Sequence, residues 1–385
     1  FWIVKTDSLG NIEWDKTFGG SASEELHALV PTSDGGYLAG GFSASGISGE
    51  KTQASNGGND YWLVKMDSLG NKVWDKAFGG SGSDKLIDMT AVSGGGFLLG
   101  GTSGSGISGD KSDASRGGDD YWVVRINDAG TLQWDNTYGG TSTESFQDIL
   151  ETSDGGFLLA GYSTSGIGGE KTEAGRGGDD YWVVKIGIAG LFQWDKTLGG
   201  NNSDQLYSID NTVDNGYILG GRSFTNINGD KTEASRGGDD FWLVRLDGSG
   251  NIEWNKTIGG SLSETLSMIK QTADEGYIIG GYSNSNISGE KTENTNGVAD
   301  YWLVRLDVDC DEALAICQDG TVAIGAAGTG VPVPSLLNNG STTPCGLDTI
   351  FATPDLFTCN DIGAQTVTLT VIDINNSTST CESNV

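Results

Sequence analysis

Acid–base chemistry in this sequence falls to carboxylates, because His27 is the only histidine. Equivalent positions in the other copies of a repeated segment hold Ile87, Gln147, Tyr207 and Ser267. Such a variable position suits a structural or surface residue better than a general base. With one histidine so placed, no Ser–His–Asp or Cys–His arrangement can be assembled. Paired carboxylates could support hydrolysis. Nearly every acid in the first 307 residues belongs to a repeated column, however, whereas a catalytic pair should break the repeat. The expectation is a chain with no enzymatic activity of its own.

Two acid columns stand out. Glu24, Asp84, Glu144, Asp204 and Glu264 follow a Gly-Gly junction, and Asp60, Asp120, Asp180, Asp240 and Asp300 precede an apolar run. The preferred reading is that they accept turn and strand-end N–H groups, recurring because the unit recurs. A sharper possibility lies in long loops such as Gly104–Asp120, GSGISGDKSDASRGGDD. Asp110, Asp113, Asp119 and Asp120 crowd this loop, its glycines lend flexibility, and oxygen-only donors of this kind suit calcium. The spacing matches neither an EF-hand nor a nonapeptide calcium repeat. Against calcium stands local pairing with Lys111 and Arg116; the lysine recurs as Lys51, Lys171, Lys231 and Lys291. Five such loops would form a ring on one face, a natural place for a ligand. The tryptophans could in principle stack on sugars, but their positions read as packing.

Composition narrows the partners. There are 52 acidic against 22 basic residues, a net charge of −30, which excludes a nucleic-acid binder and disfavours an anionic membrane surface. No apolar run is long enough to span a bilayer. The 63 glycines show no triplet period, excluding collagen, and 11 Trp, 11 Tyr and 12 Phe are too many for a disordered acidic chain. The sequence begins at Phe1 without a visible signal peptide or sorting tail, so the expectation is a fragment or processed product with an incomplete N-terminus and further domains in the same chain.

All eleven tryptophans fall in two columns sixty residues apart: Trp2, Trp62, Trp122, Trp182, Trp242, Trp302, and Trp14, Trp74, Trp134, Trp194, Trp254. Each unit reads as four strands. In the second unit these are A, Lys85–Ser93; B, Gly96–Ser103; C, Tyr121–Ile126; and D, Leu132–Tyr138. Gly130 permits the C–D turn, and the pair Gly100–Gly101 inside B leaves room for a neighbouring sheet or Trp. Four short strands per repeat, with no helical period, predict an all-β fold, a β-propeller of four-stranded blades over 1–307. About five repeats are present; a ring could close if the N-terminal D strand completed the last blade.

The pattern DYWLVKMDSLGNKVWDKAFGGSGSD followed by SGGGFLLGGTS resembles the SBBP-type β-propeller repeats of Bacteroidota secreted and surface proteins. The resemblance implies a propeller and an extracellular setting, and no catalytic residues. After Asp307 the composition changes. Residues 308–385 hold all five cysteines and neither Trp nor Tyr. The alternation in Gln365–Asp373 and the polar Asn375–Thr380 read as a strand and a turn of a small β-sandwich. This segment resembles immunoglobulin-like, HYR-type modules. That likeness implies the disulfides Cys345–Cys359 and Cys317–Cys381, while the sequence alone leaves other pairings open and Cys310 without an assigned partner. Cysteines gathered in a small module suit an oxidising compartment, and a zinc site is disfavoured by the absence of any CxxC pair or histidine.

These readings converge on an extracellular or cell-surface, non-enzymatic binding or adhesion module. Its partner would be a glycan or a protein surface, with calcium the one cofactor under consideration. The alternatives are a stalk or filament unit, or an ancillary domain of a secreted polysaccharide-degrading enzyme.

Overall fold

The computed structural model describes residues 1–307, 314–341, 347–373 and 378–385. The chain divides into two compact units, Phe1–Gln271 with Ile278–Val304, and Thr272–Tyr277 with Arg305–Val385.

The first unit is a succession of antiparallel sheets. Blade 1 runs A, Glu24–Pro31; B, Tyr37–Ser43; C, Asp60–Met66; and D, Lys72–Phe78, hydrogen-bonded in that order. Blades 2, 3 and 4 repeat it at sixty-residue intervals; in blade 2 the strands are Asp84–Ala91, Phe97–Ser103, Asp120–Ile126 and Leu132–Tyr138. Blade 5 has three strands, Glu264–Gln271, Tyr277–Ser283 and Asp300–Leu306. At the start, Trp2–Thr6 pairs with Ile12–Thr17 as a sheet of two. The N-terminal D strand therefore completes its own C strand and not blade 5. The A strands lie side by side from blade to blade.

A lone four-stranded sheet cannot bury both faces, and the core shows how these do. One cluster joins Leu38, Tyr61, Leu63 and Phe78 of blade 1 to Leu86, Met89, Phe97, Leu99, Trp122 and Val124 of blade 2. Burial lies between blades, where large apolar side chains contribute most of the stabilisation. The C strands are covered on both faces, which explains their continuous apolar runs.

The first tryptophan column has a partner that its spacing alone did not show. The ring of Tyr61 packs 4.7 Å from that of Trp122, and its hydroxyl donates to the Trp122 carbonyl at 2.8 Å. Tyr121 meets Trp182 and Tyr181 meets Trp242 in the same way. The second column covers the next blade's C–D turn. Gly130, at φ +72°, would place a Cβ 3.1 Å from the Trp74 ring, so both its backbone and its neighbour demand glycine.

Gly100 and Gly101 answer to different neighbours. A Cβ on Gly100 would lie 2.2 Å from the Phe146 ring of blade 3; on Gly101 it would lie 2.0 Å from the Lys85 carbonyl of its own A strand. That strand is bulged between Leu86 and Asp88, which presses its backbone against strand B.

The second unit is a small β-sandwich. Leu347–Thr353, Thr366–Asp373 and Thr378–Asn384 form one sheet; Thr329–Gly330 and Phe357–Thr358 pair as another. Thr378–Thr380, read from sequence as part of a turn, instead opens the last strand. Its core contains Leu337, Ala352, Phe357, Val367 and Leu369 beside Cys317 and Cys381. Cys317 and Cys381 are disulfide-bonded, as the resemblance implied. Cys359 instead carries a free, exposed thiol, so its pairing with Cys345 is not carried forward; Cys345 and Cys310 lie outside the described residues. The bridge closes a separation of 64 residues around a small core. Cys317→Ala/Cys381→Ala is expected to destabilise this unit by about 2–5 kcal/mol. Thermal unfolding in the presence and absence of reductant checks this, and an unchanged transition would contradict it.

Candidate functional site

The B–C loops and the D-to-A junctions share one end of every blade. Ser81 of the junction donates its N–H to Ser108 Oγ of the loop at 2.8 Å, and Ser261 does the same to Ser288 at 2.9 Å. The loops are built inward. In blade 2, Lys111 is fully buried and its ammonium lies 5.5 Å from the centre of the Trp122 ring while donating to Thr137 Oγ1. Lys51, Lys171 and Lys291 lie over Trp62, Trp182 and Trp302 at 5.9, 5.7 and 5.6 Å. Burial lowers the pKa of Lys51, Lys111, Lys171 and Lys231, opposed by nearby carboxylates. The recurring lysine, expected to pair with acids along the loop, is thus the loop's internal anchor.

A second anchor comes from strand D. Asp135 accepts from the Trp122 indole N–H at 3.0 Å, from Ser112 N at 2.9 Å and from Ser112 Oγ at 2.6 Å. Asp75 and Asp195 repeat this arrangement, and Asn255 stands in for them in blade 4. The loops are therefore held in place despite their glycines.

The four acids considered for calcium do not converge. Asp110 accepts from Gly79 N, Asp113 is held at 3.0 Å by Arg116, the Asp119 carbonyl accepts from Glu144 N, and Asp120 Oδ2 takes Ser115 Oγ and Arg116 N. Arg116 also reaches Glu170 in the next loop at 2.9 Å, as Arg176 reaches Asp230 and Arg236 reaches Glu290. Among the described residues, no group of three or more His, Cys, Asp or Glu is arranged to hold a metal.

The two acid columns meet between blades. Glu144 accepts from Gly140 N at 2.9 Å, from Ser163 Oγ at 2.7 Å and from Ser165 Oγ, in line with the turn-capping reading. Asp120 Oδ1 is buried without a hydrogen-bond partner, as is Oδ1 of Asp60, Asp180 and Asp240. A Cβ on Gly139 would stand 1.9 Å from Asp120 Oδ1 and 2.9 Å from Glu144 Oε2, so both carboxylates line the gap this glycine leaves. Burial, helped by Glu144, pushes Asp120 up to about 6; burial also takes Asp60 and Asp180 to about 6. Burial beside a second acid favours the protonated form of Asp120.

One acid pair does break the repeat. The column Ala28, Asp88, Asp148, Ser208, Met268 places carboxylates on adjacent A strands. Burial and the neighbouring Asp148 push Asp88 up to about 8. Their oxygens take backbone N–H groups of the next blade, Ile149 N on Asp88 at 3.3 Å and Ile209 N on Asp148 at 2.8 Å. The pair thus joins blades to one another. His27 stacks on Phe42 at 5.3 Å, 3.8 Å from Glu25.

What the loops turn outward is aliphatic. Ile47, Ile107, Ile167, Ile227 and Ile287 occupy one column and are 61–72% exposed. This column was missed in the sequence, although five isoleucines at constant spacing among Ser, Gly and Asn were there to be seen.

No family model matches the chain, and no curated protein matches it. Among solved structures it is similar to a protein of unknown function from Dyadobacter fermentans, with 14% identity, TM-score 0.42, and coverage of 76% of this chain and 79% of that one. It is also similar to an apocarotenoid oxygenase from Synechocystis, with 11% identity, TM-score 0.38, and coverage of 77% and 66%. A Ca2+-stabilized, ice-binding adhesin of an Antarctic bacterium aligns with 12% identity and TM-score 0.15 over 94% and 99%. No inference about this chain rests on likenesses at that level. The fold class, an all-β array of propeller blades followed by a small sandwich, stands on the sheets described above.

Proposed function

We propose that this chain is a non-enzymatic binding module of a secreted or surface-displayed protein, and that its loop face is the binding surface. The observation that carries this reading is the isoleucine column. Blades 1–4 bury the aliphatic column of strand C, Leu63, Val123, Val183 and Leu243, yet each B–C loop turns one branched side chain outward on a well-anchored backbone. Rigid presentation lowers the ordering cost of binding. The disulfide supports an oxidising setting, and no helix among the described residues is long and apolar enough to cross a membrane. The resemblance of the repeat to SBBP-type units of Bacteroidota surface proteins supports the same setting.

The test replaces all five isoleucines with serine. Exposed substitutions of this kind change stability by about 0.5 kcal/mol or less each. Retention of protein-coated beads is measured on polysaccharide, glycoprotein and whole-cell surfaces. The variant is expected to lose retention about tenfold on whichever surface captures the parent. Equal retention of the two proteins, or no capture of the parent by any surface, would refute the reading.

A further inference from the structure

The loop face is less symmetric than the blades beneath it. At the position of Phe224 the other loops carry Ala44, Gly104, Thr164 and Asn284; at that of Leu262 the other junctions carry Ala22, Gly82, Ser142 and Asn202. Phe224 and Leu262 are 54% and 52% exposed. Leu262 bridges two loops. Its carbonyl accepts from Gly238 N, at the end of the blade 4 loop, at 2.6 Å, and its N–H donates to Ser285 Oγ in the blade 5 loop at 2.8 Å. Ser261 beside it binds Ser288, next to Ile287. Phe224 opens the blade 4 loop, which also carries Ile227. Blades 4 and 5 and the junction between them thus carry Phe224, Ile227, Leu262 and Ile287 exposed at the loop end. Exposed apolar groups gathered in this way mark interaction surfaces.

Charge decides what this strip receives. The five loop segments (44–60, 104–120, 164–180, 224–240 and 284–300) contain seventeen acids and eight bases; the five lysines among the bases and Asp60, Asp120, Asp180 and Asp240 among the acids are buried, which leaves thirteen acids against three arginines. The face presented to a partner is therefore acidic around an apolar strip. A second copy of this chain, itself at −30, is repelled, as are anionic polysaccharides and anionic lipid. We propose that the blade 4–5 strip seats a basic, amphipathic segment of another protein, apolar side chains against Phe224, Ile227, Leu262 and Ile287 and cationic groups over the loop acids. This rests on the reading of the loop face as the binding surface and names its partner class. Apolar contact supplies the affinity, and charge supplies the encounter rate and the selection.

The probes are three short labelled peptides: an amphipathic Leu/Lys peptide, a Leu/Glu peptide of the same pattern, and a Lys/Ser peptide of the same positive charge. Binding to the full chain is followed by fluorescence anisotropy at physiological ionic strength, where charge beyond about a Debye length is screened. The Leu/Lys peptide is expected to bind at least about tenfold more tightly than either other peptide. Phe224→Ser/Ile227→Ser/Leu262→Ser/Ile287→Ser should remove that advantage, whereas Leu9→Ser/Leu69→Ser, at exposed positions in C–D turns away from the loop face, should leave it intact. Near-ultraviolet circular dichroism from the buried tryptophans verifies that each variant is folded. Equal binding of the Leu/Lys peptide to the fourfold variant and the parent, or equal binding of the Leu/Glu peptide, overturns the proposal. If a neutral or anionic surface captures the beads through the isoleucines while the Leu/Lys peptide fails, the partner class falls and the binding-module reading stands. If nothing depends on the loop face, both fall.

Discussion

Trp182→Ala is expected to lower the stability of the propeller unit by about 3–5 kcal/mol, the range for emptying a buried aromatic site. Trp182 is fully buried, packs 4.8 Å from the Tyr121 ring of the preceding blade, donates to Asp195 at 2.9 Å and lies under the Lys171 ammonium at 5.7 Å. Removing the indole leaves a cavity between blades. It also takes the π face from a buried ammonium and one donor from a buried carboxylate, so the blade 3 loop should loosen together with the core. Urea unfolding gives the first effect, and amide exchange over residues 164–180 gives the second. Trp2 is the control, having the same residue type and repeat position but 69% exposure. Trp2→Ala should change stability by about 0.5 kcal/mol or less. Similar losses for the two substitutions would show that burial between blades is not the source of stability.

The blade junctions should make the propeller more stable in mild acid than at neutral pH. Asp60, Asp120 and Asp180 have pKa values raised by burial to about 6, against 3.8 for an unperturbed carboxyl. Between those two values the folded chain holds more protons than the unfolded chain, so stability falls as pH rises through the interval. Above about 7 both states are ionised, and the folded state retains the cost of uncompensated buried charge. The effect is on the order of 1–3 kcal/mol per junction. Asp88, pushed up to about 8, extends the decline in the same direction. Below about 4 the sign reverses. Asp75, Asp113 and Asp154 have lowered pKa values, held down by hydrogen bonds and by cations such as Lys72, Arg116 and Lys185, and their contribution is lost on protonation. The melting temperature should therefore peak near pH 4–5 and decline steadily towards pH 8. Asp120→Asn keeps the shape and removes the charge, so its decline should be shallower than that of the parent. A flat profile between pH 5 and 8, or one with its maximum at neutral pH, would contradict raised carboxyl pKa values at the junctions.

The strands of each blade, the tight turns and the break after Asp307 were legible in the sequence. Trp62 lies in a continuous apolar run and Trp74 in a period-two pattern closed by Gly-Gly, and that information is local. The change in composition near residue 308 and the Cys317–Cys381 bridge were visible for the same reason, through residue type alone or through likeness. Tertiary structure decided the roles of the polar residues. Lys111 and Asp113 are close in the chain, yet one points into the blade beneath an indole and the other out to an arginine. Spacing cannot show that difference, because it depends on which neighbour fills the low-dielectric space and which side chain water reaches. The same applies between blades. Asp120 and Glu144 are 24 positions apart and come to line one buried gap, the one Gly139 leaves, only in the packed blades. The exposure of the isoleucine column was a tertiary result as well. An aliphatic residue in a sequence reads as core, and only the packed blades show that these five have nothing above them.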